Sequence, residues 1–177
     1  MGGVSRFFEK GGETVSALEE AKGLALDYVA ARMRTKEEVR EMLRKKGYGE
    51  EITEEVVPFL EEYHYVDDEA YCRSWIHDRM EFHPCGRMKM VYELGKKVKD
   101  SSLAEQTVAE FFSEEAEYEI ALETALKKVR GTRKPVTREK LSRFLYGKGF
   151  SGDIIRSVVQ DEAVENYLDK ENFDNIF

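Results

Sequence analysis

Apolar positions in this chain recur on two length scales. Over residues 50–63, Ile52, Val56, Leu60 and Tyr63 fall at i, i+4, i+8 and i+11, the spacing of one apolar stripe along an α-helix. The longer scale is a repeat. "VREMLRKKGY", starting at Val39, resembles "LSRFLYGKGF", starting at Leu141, and "MVYELGKKVK", starting at Met90, resembles both more weakly. The three starts are evenly spaced at 51 residues (39, 90, 141). The same offset aligns Leu43, Leu94 and Leu145, then Ile52, Leu103 and Ile154, then Val57, Val108 and Val159. An offset that holds through two successive stretches signals a structural repeat.

Each repeat reads as three helices. The first helices are expected over about Val15 to Met33, Asp68 to Phe82 and Glu114 to Arg130. The second open at Thr35, near Pro84 and at Thr137. Thr35 with Glu38 forms a capping-box pattern, and Pro84 suits a first helical turn, where its missing N–H costs nothing. Gly47 and Gly149 are expected to end the second helices of the outer repeats in the left-handed conformation. The third helices begin at about Glu50, Ser102 and Gly152. Ser102 with Glu105 gives a second capping-box pattern, and Ser151 is placed to cap the last helix. Pro58 interrupts the third helix of the first repeat, predicting a kink near Val57 or a shorter helix. The fold class expected is all-α: an elongated, curved array of three tandem three-helix repeats. Its limits are 15–66, 67–113 and 114–166, between an N-terminal extension (1–14) and a C-terminal tail (167–177).

Composition agrees with helices in a charge-rich globular chain. Of 177 residues, 41% are hydrophobic and 36% charged, and only three are proline. No apolar run approaches the roughly 20 residues of a membrane span. The start, "MGGVSRFFEKGG", lacks a signal peptide's apolar stretch and misses the myristoylation pattern at Arg6. Two cysteines and no CxxC fit a reduced, cytoplasmic protein. The net charge of −8 argues against a protein that simply coats DNA, but the sign alternates by segment. Gly49 to Glu69 holds nine acids and no Lys or Arg. Pro84 to Lys99 holds five cations and one acid. Asp100 to Glu119 holds seven acids and no Lys or Arg, and Lys127 to Lys148 holds nine cations and one acid.

Candidate chemistry centres on "HYVDDEAYCRSWIHDRM", residues His64 to Met80. Paired carboxylates such as Asp67 and Asp68 serve hydrolases and nucleases, but catalysis needs a further ligand, a nucleophile or a phosphate-binding loop. No partner stands at a recognisable spacing, so no catalytic residue, metal or cofactor is expected. The pair falls between two repeats, where Asp67 fits an N-cap, and Asp68 and Glu69 suit the positive end of the next helix. Tyr63, Tyr65 and Val66 are placed to pack as an apolar staple. Cys72, His77, His83 and Cys85 are zinc-ligating residue types, yet Cys72 and His77 lie about 140° apart around a helix. Buried or half-buried fillers are the plainer reading.

Four short motifs carry a family resemblance: "LALDYVAARM" (Leu24 to Met33), "RKKGY" (Arg44 to Tyr48), "YHYVDDEAYC" (Tyr63 to Cys72) and "HPCGRMKM" (His83 to Met90). Together they resemble the RecX family, over about Ala21 to Gln160. His64 stands where that family usually has glycine, and His83 and Cys85 where it usually has basic residues. The resemblance implies a cytoplasmic, non-enzymatic regulator that binds the RecA–single-stranded DNA filament along its helical groove. Such a regulator restrains ATP hydrolysis, LexA cleavage and strand exchange in recombination and the SOS response. Nucleic acid contact would be weak or indirect, and nothing requires more than a monomer. The contact residues expected are Arg40, Arg44, Lys45 and Lys46 in the first repeat; Arg79, Arg87, Lys89, Lys96 and Lys97 in the second; and Arg138, Lys140 and Arg143 in the third. The alternative is a transcriptional regulator that binds DNA directly through a helix-turn-helix-like pair, its short basic second helix reading the groove.

Overall fold

The computed structural model describes residues 5–132 and 136–168, with side chains from Ala17 onward. Arg133 and Lys134 of the basic stretch, and most of the C-terminal tail, lie outside the described residues. Within them the chain is all-α. The first set of helices is α1 (Ser5–Ala30), α2 (Lys36–Lys45) and α3 (Glu50–Glu62). The second is α4 (Asp68–Phe82), α5 (Arg87–Val98) and α6 (Ser101–Phe111). The third is α7 (Glu114–Arg130), α8 (Arg138–Gly147) and α9 (Gly152–Val159), and a one-turn α10 (Glu162–Glu165) follows. The only β pairing among the described residues is an isolated parallel bridge between Val136 and Leu168. The helices group into two compact units: one takes the described residues up to Cys72 with Lys97–Lys99, the other Arg73–Lys96 and the described residues from Asp100.

The 51-residue offset is an offset of burial. Val39, Met90 and Leu141 are fully buried, as are Leu43, Leu94 and Leu145. Ile52, Leu103 and Ile154 are all half-buried, and Val57, Val108 and Val159 return to the interior. In the first unit the core gathers Ala21 and Ala25 of α1, Val39 and Leu43 of α2, and Val56, Val57 and Leu60 of α3. The second unit repeats this scheme with Ala121 and Ala125 of α7, Leu141 and Leu145 of α8, and Val158 and Val159 of α9, closed by Phe150. The buried residues that α1 and α7 give to these cores include alanine pairs, whose small side chains leave room for close helix packing.

The caps explain most helix boundaries. Thr35 and Glu38 form the full capping box, at 3.0 and 3.1 Å. Thr137 caps α8 through the Lys140 amide, and Ser151 caps α9 through the Ile154 amide. Gly47 and Gly149 have φ of 92° and 86°, the left-handed stops expected. The middle repeat uses Lys99, at φ 57°, just past the end of α5.

Several expectations are corrected. α1 starts at Ser5 and ends at Ala30, ten residues earlier and three shorter than its apolar pattern suggested. Pro84 lies three residues ahead of α5 instead of in its first turn. Asp100, not Ser102, caps α6, accepting from the Leu103 amide at 2.9 Å. α3 runs through Pro58 to Glu62 and is not shortened. On that helix the stripe turns: Thr53 and Val57 are buried beside Val56 and Leu60, while Tyr63 is exposed, its ring tilted by 50° against Phe59 at 5.0 Å. Of the expected staple, Val66 is buried, but Tyr63 and Tyr65 are solvent-facing.

Candidate functional site

Asp67 and Asp68 both serve helix ends. Asp67 accepts from the Ala70 amide at 2.9 Å and caps α4. Asp68 turns away from its own helix and accepts the first amide of α2, that of Lys36, at 2.8 Å. Burial lifts its carboxyl above the ordinary range, and the Lys36 amide and ammonium pull it back. The second unit repeats the device: the buried carboxylate of Glu117, fourth residue of α7, accepts the first amide of α5, that of Arg87, at 3.1 Å. Arg138 stands 51 residues beyond Arg87, and its guanidinium meets Glu165, the fourth residue of α10, at 2.7 Å. In the first two repeats an acid on the following first helix thus receives the leading amide of the preceding second helix, whereas α8 meets α10 through an exposed ion pair.

The cysteine and histidine residues are not gathered. Cys72 and Cys85 are buried thiols, while His77 and His83 are exposed rather than fillers. Burial pushes the Cys85 thiol up, against the pull of Arg79.

The predicted contact cations sort into held and unheld groups. On α2, Arg40 pairs with Glu54 at 2.9 Å, Arg44 with Glu50 and Glu37 at 3.4 and 3.5 Å, and Lys45 with Glu41 at 3.7 Å. Lys46 is exposed at the edge of a cavity that Glu38 and Glu41 also line. Lys97 is exposed, and its carbonyl accepts a hydrogen bond from the Thr35 hydroxyl. Arg79 is half-buried against Glu93 at 2.7 Å, and its Nε has no hydrogen-bond partner. Lys89 reaches Glu93 at 3.9 Å, and Lys96 lies over the exposed Tyr92 ring at 4.0 Å. Arg87 has an exposed side chain.

Lys140 and Arg143 are different. They share a cavity of about 410 Å³ with Lys128, Thr132, Val136 and Phe144. The ammonium groups of Lys128 and Lys148 stand 5.1 and 5.7 Å from the centre of the Phe144 ring. Among the described residues no carboxylate lies within ion-pairing distance of these four cations, and Glu123, the acid nearest in sequence to Lys128, is held by Lys127 at 2.7 Å. The sequence reading named Lys140 and Arg143 but not Lys128, Lys148 or Phe144. The signal was present: Lys140, Arg143 and Phe144 sit at i, i+3 and i+4, one face of α8.

Comparison with known proteins places this geometry in a family. Residues 21–60 match the profile of the RecX first three-helix domain and residues 115–159 that of the RecX third three-helix domain. The Regulatory protein RecX of Clostridium acetobutylicum is 34% identical over 152 residues, covering 82% of this chain and 70% of the relative. That of Clostridium botulinum is 32% identical, covering 86% and 73%. Two crystal structures share the fold. RecX from Lactobacillus salivarius superposes with a TM-score of 0.74 at 24% identity, over 86% of this chain and 99% of that one. Another regulatory protein RecX gives 0.79 at 23% identity, over 90% and 80%. The repeated three-helix pattern and the identity along its length make this chain a member of the RecX family of regulatory proteins.

Proposed function

We propose that this protein binds the RecA filament on single-stranded DNA, in the cytoplasm, and inhibits its ATPase, coprotease and strand-exchange activities. Kinship with regulatory RecX proteins along most of the chain carries the reading. The architecture supports it, since tandem helical repeats offer an extended surface instead of a catalytic pocket. In this reading the repeats span 15–66, 67–113 and 114–166, and the array is elongated and curved.

The distribution of cations refines where docking occurs. Arg40, Arg44 and Lys45 are already held by carboxylates, and Arg79 and Arg138 have structural partners. The docking surface is therefore assigned first to Lys140 and Arg143, then to Lys96, Arg87, Lys97 and Lys46, which have no ion-pair partner among the described residues. The ion pairs along α2 weigh against that helix as a groove-reading element, which needs its cations and polar tips available for phosphates and bases. Co-sedimentation tests the proposal: the protein should pellet with RecA filaments assembled on single-stranded DNA and remain in solution with RecA alone.

A further inference from the structure

The cavity between α7 and α8 combines three properties without a carboxylate among its lining residues. Its rim is cationic: Lys128, Lys140 and Arg143 line it, and Lys148 approaches Phe144, the aromatic side chain of its wall. Its wall is partly apolar, formed by Phe144 and Val136. Its volume of about 410 Å³ lies in the range of small-ligand sites, roughly 300–1,000 Å³. The cavity beside α2 has similar size, yet Glu38 and Glu41 line it with Lys45 and Lys46, so an anion gains little there. In the α7–α8 cavity the Thr132 hydroxyl donates to the Val129 carbonyl at 3.0 Å, leaving its oxygen as a neutral acceptor.

Three cations converging on one small space without a carboxylate favour a ligand that concentrates negative charge. An aromatic ring among them favours a ligand with a flat π-face beside that charge. A nucleotide unit of a single strand supplies both, and stacking on one aromatic residue is worth roughly 1–3 kcal/mol per base. An acidic peptide supplies one charge per carboxylate and no required ring. A double helix hides its bases from such a wall.

We propose that the Lys128–Lys140–Arg143–Phe144 cavity is a single-nucleotide subsite, with a phosphodiester against the three cations and its base on the Phe144 ring. The inference deepens the filament reading by naming what enters this cavity.

The test uses the full chain and a fluorescein-labelled 12-residue oligothymidylate, followed by anisotropy at low ionic strength. Phe144→Leu keeps the wall apolar and removes the stack, and should weaken binding roughly tenfold. Lys140→Gln with Arg143→Gln should lower the salt slope by roughly one to one and a half, as two lost phosphate contacts on a single strand require. Circular dichroism should show unchanged helix content. An oligoglutamate peptide of the same length should compete poorly. No binding of the oligonucleotide, an unaffected Phe144→Leu variant, or equal competition by oligoglutamate each overturns the subsite. Those outcomes leave the filament reading standing, because RecA's response to the protein is measured separately.

Discussion

Asp68 shows how a residue that looks catalytic in sequence can be fully occupied by structure. Its carboxylate is buried and holds the first amide of α2. Because burial raises its pKa in the fold, the folded state binds its proton more tightly than the unfolded chain. The resulting stabilisation is complete below the ordinary carboxylate range and is lost as pH rises through the raised value. Asp68→Asn keeps an acceptor for the Lys36 amide and removes the buried charge. It should match or exceed the parent's stability at pH 7, and the parent should gain on it as pH falls toward 4. Urea unfolding at both pH values checks this; a parent that is more stable at pH 7 and loses ground on acidification would show that the charge itself is favourable. Asp67→Ala should cost about 1 kcal/mol through its lost cap, with unchanged stability as the contrary result. His64 has φ of 57°, a conformation that costs an L-residue roughly 1–2 kcal/mol. Glycine, which the RecX resemblance leads one to expect at this position, adopts that conformation without the penalty. His64→Gly should raise the unfolding midpoint despite the entropy glycine adds to the unfolded chain; a lowered midpoint would point to a role for the imidazole. The cap role of Asp67 was legible because capping is local. The reach of Asp68 to α2 was not, since it joins groups 32 residues apart.

Gly86 permits a close backbone approach between the turn before α5 and the turn after α8. Its amide donates to the Lys148 carbonyl at 2.9 Å and the Met88 amide to the Gly149 carbonyl at 3.2 Å, so the start of α5 meets the end of α8. A Cβ on Gly86 would come within 2.3 Å of Gly149 backbone atoms. Gly86→Ala should therefore destabilise the protein by about 1–3 kcal/mol, as overpacking does. Thermal unfolding is the check, and a change under 0.5 kcal/mol would mean that the contact opens easily. Helix positions were legible from the 51-residue offset, since burial follows the apolar period. Helix starts were read less well where a rival residue stood nearby. Asp100 outcompeted Ser102, and Pro84 belongs to the turn that delivers Gly86. The tyrosine staple failed because α3 rotates its buried face toward Thr53 and Val57, a choice fixed by packing against α1 and α2.

At the scale of the molecule, the alternating charge that the sequence displays has a sharper structural form. Most α2 cations are neutralised within their own unit, whereas those at the α7–α8 cavity are not. No helix of the described residues is long and apolar enough to cross a membrane. Sequence counting could locate the basic stretch but not separate paired from unpaired cations, because pairing depends on which helix faces which. Lys140→Glu with Arg143→Glu, which spares the Arg138–Glu165 pair, should weaken filament association several-fold, mainly by slowing encounter. It should also flatten the salt dependence, with helix content intact. Unchanged association would move the docking surface to the other unpaired cations.

Restraint of RecA on single-stranded DNA is the activity proposed for this chain. Its most direct test is the steady rate of DNA-dependent ATP hydrolysis by RecA, measured with increasing amounts of this protein. A saturable fall in rate is expected, relieved by the Lys140 and Arg143 reversal. A rate that stays constant across the titration, under conditions where the filament is assembled, would contradict it.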